Sequence, residues 1–356
     1  MRILVNALPL RHGGGVTYLQ QQLTALARVD TSLDLHTLVS PWIKDTAFPG
    51  AVERIAVGSV PRRFAYEQVQ LPFRRADVLY CPANFAPMAS RAPIVLTLHN
   101  PNYYGVGLQL PETVASRPFW KVKANHWAMR RADVVVAISE SMAAEVVDTV
   151  PSVEHKLRVI HSGAPDWPQA AVPFEHLPER YLLSVASAAP HKRVSDVVSG
   201  WARSQEGSSD GVHLVLVGGY TATQVEEHRQ LAGIHADKLV HLGWVGNRRQ
   251  LKWIYERATA MVLMSGLESF SMTPAEAGSV GCPLVLSDLP AHREVTQGNA
   301  SFVPVGDTAA LADVIREGLG RWSPGSKPWT WPVTWEDNAR AFLDIFQALT
   351  PGRTRH

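Results

Sequence analysis

The chain of 356 residues lacks the features that mark disulfide-rich and membrane-spanning proteins. Its two cysteines, Cys81 and Cys282, each stand beside a proline and have no metal-ligand spacing, so structural disulfides are not expected. No apolar run approaches the length of a membrane span, and the residues MRILVNALPL lack the layout of a signal peptide. These absences predict a cytoplasmic protein.

A strong charge of one sign is also absent. The net charge is +2, with 17 basic against 12 acidic residues over 1–165 and 17 against 20 in the remainder. This balance is too mild for a nucleic-acid-binding protein, although the basic first half favours contact with anionic surfaces. The motifs D-x-D and H-E-x-x-H are missing as well, so we expect neither a metal site nor a metal cofactor.

Short apolar runs alternate with helical stretches along the chain, which predicts parallel βαβ units. The first half contains the predicted helices and strands Arg2–Ala7, Val16–Arg28 (helix), Asp34–Val39, Val78–Cys81, Ile94–His99, Pro118–Arg131 (helix), Val134–Ser139 and Leu157–His161. The second half contains the predicted strands Tyr181–Ala186, His213–Gly218, Leu239–Leu242, Thr259–Met264, Leu284–Ser287 and Ser301–Val305. We therefore predict two doubly wound α/β domains, with ligands at the carboxyl ends of the strands in a cleft between them.

The domain boundaries are placed where the composition changes. Residues 1–165 form the predicted N-terminal domain and residues 176–325 the C-terminal domain, because a proline-rich stretch separates them. The Trp- and Pro-rich segment WSPGSKPWTWPVTW precedes an amphipathic helix, Glu336–Leu349. We expect residues 326–356 to return to the first domain.

The stretch GLESFSMTPAEAGSVGCP (266–283) carries two glutamates eight positions apart, Glu268 and Glu276. The segment TPAE has the pattern of a helix start, with Thr273 as N-cap, Pro274 at the first helical position and Glu276 completing a capping box. The amides before the proline would then be free donors at the positive end of a helix, which is a ready anion site. From these residues alone, Glu276 has either a capping role or a ligand role.

Other residues at predicted strand ends suggest ligand contacts. A run of glycines that includes Gly14 and Gly15 opens a helix, but it is not G-x-G-x-x-G, so a nicotinamide site is not expected. Lys192 and Arg193 follow a strand and suit a diphosphate, whereas the competing interpretation is a solvated turn. His99 ends an apolar strand at the edge where ligands bind, which favours a functional role over a structural one.

A serine hydrolase is a further alternative, because HGGG at 12–15 resembles an oxyanion loop and GSSDG at 207–211 matches G-x-S-x-G. A nucleophile elbow needs the order strand, turn, helix. The match at 207–211 follows a helical stretch and precedes a strand. Because this order is reversed, the hydrolase interpretation is rejected.

In this order the segments resemble the retaining GT-B glycosyltransferases of glycosyltransferase family 4, over nearly the whole chain. The family's E-G-F-G-L-P-x-x-E-A is matched by ESFSMTPAEA from Glu268 to Ala277, and the similarity continues to Glu294. DVVVAISES at 133–141 is similar to the family's A-D-x-V-I-x-V-S-E-x-S strand. SVASAAPHK at 184–192 resembles its V-G-x-x-x-x-x-K phosphate segment.

The resemblance implies a GT-B fold and a set of ligand contacts. Glu276 would hold the ribose of a nucleotide sugar, and Glu268 the hydroxyls of the donor sugar. Lys192 would neutralise the leaving diphosphate, and His99 would sit beside the reacting sugar, so these two and Glu268 are the implied catalytic residues. The other implied donor contacts are Gly14, Gly15, Arg193, Gly243, Trp244, Val245, Ser271, Met272 and Thr273, and the implied acceptor contacts are His12, Asn100, Tyr103 and Ser139.

The implied reaction moves a hexosyl group from a UDP-, GDP- or dTDP-linked donor to an acceptor hydroxyl, with retention of anomeric configuration. The departing phosphate would help to deprotonate the acceptor, and no covalent nucleophile or cofactor is expected beyond this co-substrate. The acceptor would be a glycan, a lipid-linked molecule or a small molecule. Two departures bear on donor choice: Ser187 stands where the family often has arginine, and Ser269 and Ser271 replace the glycines of E-G-F-G.

Two other functions stay open beside transfer. A GT-B sugar-nucleotide epimerase would need no acceptor. A binding protein that has lost catalysis would tolerate Ser187, although the presence of both glutamates, Lys192 and His99 argues against it.

The N-terminal domain also carries basic-aromatic segments at Arg62-Arg63, at Arg74-Arg75 and over 117–131. They are either solvated helix faces over core aromatics or a surface for an anionic or lipid-linked acceptor. We therefore expect the protein in the cytoplasm, free or peripheral on the inner membrane face.

Overall fold

The structure, a computed structural model, describes residues 1–11, 14–43, 47–100, 119–167, 170–207, 211–326 and 328–350. These residues form two compact units. The first unit contains the described residues up to 163 and from 333 onward, and the second contains those from 164 to 332.

The first unit is built on a seven-stranded parallel sheet, counted over the described residues, with the order β3-β2-β1-β4-β5-β6-β7. Its strands are β1 (Arg2–Asn6), β2 (Asp34–Val39), β3 (Ala51–Arg54), β4 (Val78–Cys81), β5 (Ile94–Leu98), β6 (Val134–Ala137) and β7 (Leu157–Val159). The interior strands are continuous apolar runs, and all five residues of β5 are buried. This composition is typical of parallel strands covered on both faces.

Up to residue 163, the described part of the first unit contains four helices: α1 (Gly14–Val29), α2 (Val60–Val69), α3 (Phe119–Arg131) and α4 (Glu140–Thr149). Short 3₁₀ turns occupy Leu71–Phe73 and Pro151–Lys156. Ser59 begins α2 and Ser139 begins α4, since each hydroxyl accepts a hydrogen bond from an amide of the first turn.

The described residues of the second unit form a six-stranded parallel sheet in the order β10-β9-β8-β11-β12-β13. The strands are β8 (Tyr181–Val185), β9 (His213–Val217), β10 (Leu239–Gly243), β11 (Ala260–Leu263), β12 (Leu284–Ser287) and β13 (Ser301–Val303). The helices are α5 (Val194–Ser204), α6 (Ala222–Ala232), α7 (Arg248–Arg257), α8 (Met272–Ser279), α9 (Pro290–Thr296) and α10 (Thr308–Gly318), with 3₁₀ turns at Pro190–Lys192 and Gly233–Lys238. A reversal of strand order beside β8 places a topological switch point between β8 and β11.

Helix α11 (Trp335–Ala348) follows the second unit in the chain but belongs to the first. Its buried Phe342 and Phe346 pack against Tyr80, with ring centroids 5.3 and 5.8 Å apart. Asn338 of α11 donates from Nδ2 to the carbonyl oxygen of His161 at 2.7 Å and accepts from Gln22 Nε2 of α1 at 3.2 Å. Helix α11 thus packs within the first unit, where residues 326–356 were expected to return.

All predicted strands are confirmed, most of them one or two residues shorter than expected. Strand β3 was not predicted. Its sequence AVER has no alternation or apolar run, because it is an edge strand with largely exposed residues. The local pattern that identifies buried strands is therefore absent there.

Candidate functional site

The loops that follow β8, β10 and β11 carry most of the predicted donor contacts. Lys192 and Arg193 come after β8, Gly243 ends β10, and Glu268 lies in the loop after β11. Because the three strands are parallel members of one sheet, these residues lie at its carboxyl edge. This is the edge at which open α/β sheets bind ligands.

Glu268 and Lys192 form a buried ion pair. Lys192 Nζ donates to both carboxylate oxygens of Glu268, at 2.7 and 2.8 Å, and Ser265 Oγ donates to Oε1 at 2.7 Å. The Glu268 side chain is only 7% exposed. Burial alone would raise the pKa of Glu268, but Lys192, His292 and the hydrogen bond from Ser265 together hold the pKa below its usual value. The carboxylate is therefore ionised at neutral pH.

A second layer of buried polar groups supports this pair. Ser287 Oγ donates to the carbonyl oxygen of Ser265 at 2.6 Å, and His292 Nδ1 lies 2.8 Å from the carbonyl oxygen of Ser287. That contact assigns the ring proton to Nδ1, and the buried Nε2 has no hydrogen-bond partner among the described residues. Burial lowers the pKa of His292, so the ring is neutral.

Helix α8 begins differently from the prediction. Its N-cap is Ser271, not Thr273, and Ser271 holds a left-handed backbone with φ of 68°. Thr273 and Pro274 therefore lie inside the first turn, where the missing amide of proline costs no hydrogen bond. Ser271 occupies the left-handed conformation that a glycine adopts readily, which a hydrophobic pattern cannot reveal.

The start of α8 leaves several polar groups without partners. The amides of Met272 and Thr273 lie in the first turn, where an α-helix supplies no acceptor. The Ser271 hydroxyl is more than nine-tenths buried and has no hydrogen-bond partner in the described part of the chain. Donors gathered at the positive end of a helix suit an anion such as a phosphate.

Glu276 does not complete a capping box, which corrects the local prediction. Its Oε1 accepts from Arg248 Nη1 at 3.1 Å and its Oε2 accepts from the Tyr255 hydroxyl at 3.2 Å. Burial raises the pKa of Glu276 above its usual value, and Arg248 is the main opposing influence. The side chain contacts α7 instead of capping its own helix.

Arg193 is held at the start of α5. Arg193 begins α5 with a left-handed backbone, φ of 47°, and donates from Nε to Asp196 Oδ2 at 2.6 Å. Its guanidinium is thus held partly by its own helix.

The segment after β10 carries an exposed aromatic side chain. Gly243 has φ of 68°, and Trp244 beside it is 74% exposed. An exposed indole at the carboxyl edge of a sheet is available for stacking on a planar ligand.

In the first unit, His99 follows the carboxyl end of β5. Its amide donates to Asn84 Oδ1 at 2.9 Å, and Asn84 Nδ2 donates to the carbonyl oxygen of Asn100 at 2.9 Å. The ring meets Tyr18 edge-on, with centroids 4.3 Å apart. Burial lowers the pKa of His99 to about 4, so the ring is neutral at physiological pH.

The remaining predicted contacts of the first unit are less distinctive. Gly14 and Gly15 open α1, and a β-carbon on Gly15 would come within 3.0 Å of Leu10 Cδ2. Ser139 is buried, and its hydroxyl accepts from the amide of Met142 at 3.1 Å as a helix cap. His12 and Tyr103 lie outside the described residues.

Three residues around Glu276 were not predicted: Trp167, Arg248 and Tyr255. Trp167 comes from the proline-rich stretch before β8, and the other two from α7. One signal could have drawn attention to Arg248. A cation in the first turn of a helix opposes the helix dipole, so its position calls for another reason.

No three side chains of His, Cys, Asp or Glu come together as metal ligands within the described ranges. No helix in the part of the chain that the structure describes is long and apolar enough to cross a membrane.

The fold is that of solved GT-B proteins. Sucrose-phosphate synthase from Thermosynechococcus elongatus aligns with a TM-score of 0.72 at 18% identity, over 98% of this chain and 96% of that one. HepE of Anabaena, solved in complex with UDP and glucose, aligns with a TM-score of 0.66 at 17% identity, over 98% and 97% of the two chains. The predicted GT-B fold is confirmed.

Two family profiles account for most of the sequence. "Glycosyltransferase Family 4" matches residues 12–166, and "Glycosyl transferases group 1" matches residues 168–321. The chain belongs to the group 1 glycosyltransferases of family 4.

Two curated relatives are mannosyltransferases by name. The O-antigen chain mannosyltransferase RfbU of Salmonella typhimurium is 24% identical over 62% of this chain and 59% of its own length. The lipopolysaccharide core biosynthesis mannosyltransferase LpcC of Rhizobium leguminosarum is 27% identical over 53% of this chain and 55% of its own length. The chain thus spans between half and three-fifths of the length of these relatives.

Proposed function

We propose that the protein transfers a hexosyl group from a nucleotide-diphosphate donor to an acceptor hydroxyl, with retention of anomeric configuration. The observation that carries this proposal is the start of α8. There the chain places a buried Ser271 hydroxyl, which has no hydrogen-bond partner among the described residues, and the amides of the first helical turn after Glu268 and before Glu276. Along the chain, anion-binding groups thus stand between two carboxylates that can accept hydrogen bonds from hydroxyls, which suits the sugar, the diphosphate and the ribose of a donor.

The chemistry of each group fits one part of such a donor. The first turn of α8 would receive the phosphates, and Lys192 would balance the charge that develops on the leaving diphosphate. Glu268 would accept hydrogen bonds from the sugar, and Glu276 from the ribose. The exposed Trp244 would stack on the nucleobase. HepE, a structural neighbour, was solved with UDP and glucose, which supports a nucleotide-sugar donor.

Retention would follow from attack on the face of the sugar that the diphosphate leaves, with a departing phosphate oxygen taking the acceptor proton. The acceptor oxygen–carbon bond forms as the sugar–phosphate bond breaks. His99 stays a predicted sugar contact, and because its ring is neutral it would hydrogen-bond without adding charge.

Binding comes first in testing this function. Calorimetric titration with UDP, GDP and dTDP should show one nucleotide binding in the micromolar range. Binding of none of the three would overturn the nucleotide-sugar assignment.

Reaction with the matching sugar nucleotide then separates the three functions. A transferase converts the donor when acceptor is added, and NMR of the product should show the donor's anomeric configuration. An epimerase converts the sugar nucleotide without acceptor, and a binding protein converts it under neither condition.

The acceptor is proposed to be anionic or lipid-linked and met at a membrane surface. Phe73 is 66% exposed and carries the guanidinium of Arg91 over its ring at 5.3 Å. Trp120 is 49% exposed, with Lys121 Nζ 5.6 Å from its ring centroid. Exposed aromatics paired with cations suit an anionic interface.

A groove beside this surface has the same mixed character. It has a volume of about 630 Å³ and lies between β3 and α2, where Arg54, Arg62 and Arg74 join Val57 and Val69 in its lining. A ligand that bears both an anionic group and an apolar part would match these walls.

Vesicle co-sedimentation tests the membrane contact. Wild type should bind vesicles that contain phosphatidylglycerol more strongly than vesicles of phosphatidylcholine alone, and Phe73→Ser with Trp120→Ser should reduce that binding. Ile234→Ser is the matched control, because Ile234 is 91% exposed in the second unit. Equal, negligible binding to both kinds of vesicle would mean that the basic-aromatic segments are solvated helix faces and not a membrane-contacting surface.

A further inference from the structure

The carboxylate of Glu276 is buried but only half used. Its oxygens receive two hydrogen bonds, one from Arg248 and one from Tyr255, whereas an ionised carboxylate offers about four acceptor positions. Among the described residues no other group donates to this carboxylate, so two acceptor positions remain for a ligand. Two neighbouring hydroxyls of a ribose would use both.

Arg248 is held in place by contacts that do not involve the carboxylate. Its guanidinium stacks on the Trp167 ring with 4.5 Å from Cζ to the centroid, and Nη2 donates to the carbonyl oxygen of Asp166 at 3.4 Å. Trp167 Nε1 in turn donates to Ser279 Oγ at 2.9 Å, and Ser279 lies at the end of the helix that carries Glu276. The arginine, the indole and α8 thus form a closed ring of contacts around Glu276.

The position of Arg248 is not explained by local helix stability. It is the first residue of α7, where a positive charge opposes the helix dipole. The next residue, Arg249, directs its Nε to the carbonyl oxygen of Ala170 at 3.1 Å and makes no contact with Glu276. Of these two adjacent arginines, Arg248 donates a hydrogen bond to Glu276 and Arg249 does not.

The contact between Arg248 and Glu276 affects the charge of the carboxylate. Burial favours the neutral form of Glu276, and Arg248 is the main group that favours the charged form. A neutral carboxyl has a proton on one oxygen and loses an acceptor position that the ribose would need.

We propose that Arg248 is a positioning residue that keeps the Glu276 carboxylate ionised and oriented to accept the ribose hydroxyls of the donor. This inference rests on the proposed function. Arg248 acts through Glu276 and is not assigned a contact with the sugar or the phosphates.

Calorimetric titration of UDP and GDP into wild type, Arg248→Ala and Arg249→Ala tests the positioning role. Arg248→Ala should lower affinity for the binding nucleotide by about tenfold, since a charge-assisted hydrogen bond is at stake. Arg249→Ala should match wild type. With the 2′-deoxy form of the same nucleotide, the loss caused by Arg248→Ala should shrink, because one ribose hydroxyl is gone.

The pH dependence separates positioning from mere structural support. Without Arg248 the pKa of Glu276 rises further, so affinity should begin to fall at a higher pH than in wild type as pH is lowered from about 8 to about 5.5. Arg248→Lys keeps a positive charge and should restore much of the wild-type profile, which also guards against an alanine variant that unfolds.

Two results would overturn the inference: an unchanged affinity and pH profile in Arg248→Ala, or an equal loss for the ribose and 2′-deoxyribose nucleotides. If wild type binds neither UDP nor GDP nor dTDP, the proposed function fails, and the positioning role fails with it. If it binds dTDP alone, whose deoxyribose has a single hydroxyl, the contact with two ribose hydroxyls is overturned while the proposed function stands.

Discussion

The two glutamates of the α8 segment both have largely buried side chains, 7% exposed in Glu268 and 12% in Glu276, and yet their pKa values shift in opposite directions. Lys192 and a serine hydroxyl hold the pKa of Glu268 below its usual value, whereas burial raises the pKa of Glu276 despite Arg248. The difference lies in the partners. Glu268 has a two-oxygen contact with Lys192, while Glu276 has one hydrogen bond from Arg248 and one from a neutral phenol. The Glu268 carboxylate is thus kept ionised by its pairing with Lys192, whereas the ionisation of Glu276 depends mainly on Arg248.

The largest expected effect comes from breaking the stronger pair. Lys192→Ala leaves Glu268 buried without its cation, which should lower the free energy of unfolding by about 3 kcal/mol. Transfer should fall by about 100-fold or more, because the charge facing the leaving diphosphate is lost. Urea denaturation and initial rates of transfer measure the two effects.

Arg193→Ala is the control for this variant, since its guanidinium pairs with Asp196 and not with either glutamate. It should change both quantities less. A Lys192→Ala protein with wild-type stability would show that the two carboxylates do not differ as the contacts indicate.

A matched pair of glutamine variants sharpens the comparison. Glu276→Gln should lower nucleoside-diphosphate affinity about tenfold, because glutamine must turn a donor toward one ribose hydroxyl. Glu268→Gln should leave that affinity close to wild type and instead impair transfer, since the nucleoside diphosphate has no donor sugar. Calorimetry with the diphosphate and rate measurements with the sugar nucleotide distinguish the two. Equal losses of nucleoside-diphosphate affinity in the two variants would contradict separate roles for Glu276 at the ribose and Glu268 at the donor sugar.

The same pair of variants predicts opposite pH trends in stability. The lowered pKa of Glu268 adds stability above the ordinary glutamate pKa, and this stability is lost as pH falls through the folded-state value. The raised pKa of Glu276 favours folding at acid pH, and that contribution is lost as pH rises through the folded-state value.

Urea denaturation between about pH 3 and about pH 8 measures these trends, with the Glu268 contribution changing below the ordinary glutamate pKa and the Glu276 contribution above it. Relative to wild type, Glu276→Gln should gain stability as pH rises, and Glu268→Gln should lose it. Parallel curves for the two variants would contradict the opposite pKa directions.

The smallest expected effect is that of a chelator. Because Lys192 and the first turn of α8 supply positive charge to the diphosphate, EDTA should leave nucleotide affinity unchanged, and added magnesium should not raise it. Titration of the same sample before and after chelation checks this. Loss of binding with EDTA and recovery with magnesium would mean that the phosphate site is wrongly assigned.

Local sequence patterns account for the sheets and for the edge on which the site lies. Continuous apolar runs identify buried strands, so Lys192, Glu268 and Glu276 could be placed near strand ends before their contacts were known. The predicted N-cap of α8, Thr273, was two positions too late, because Ser271 adopts a left-handed conformation that its residue type disfavours. Periodicity carries no information about such a position.

The partners of Glu276 could not be predicted from the sequence for a different reason. Trp167 lies 109 residues before it and Arg248 lies 28 residues before it, and only the tertiary fold brings the three together. The contacts depend on the packing of α7 against α8, which no local pattern encodes. The same holds for His292, whose contact with Ser287 lies beneath the Glu268 pair.

The return of α11 to the first unit has a consequence for protein synthesis. Gln22 and Tyr80 are synthesised early, but their partners Asn338, Phe342 and Phe346 emerge from the ribosome only after the whole second unit. At elongation rates of about 5–20 residues per second this interval is roughly 10 to 30 s. During that time the second unit can complete its fold while the first still lacks α11, so the unit that begins the chain is the last to be finished.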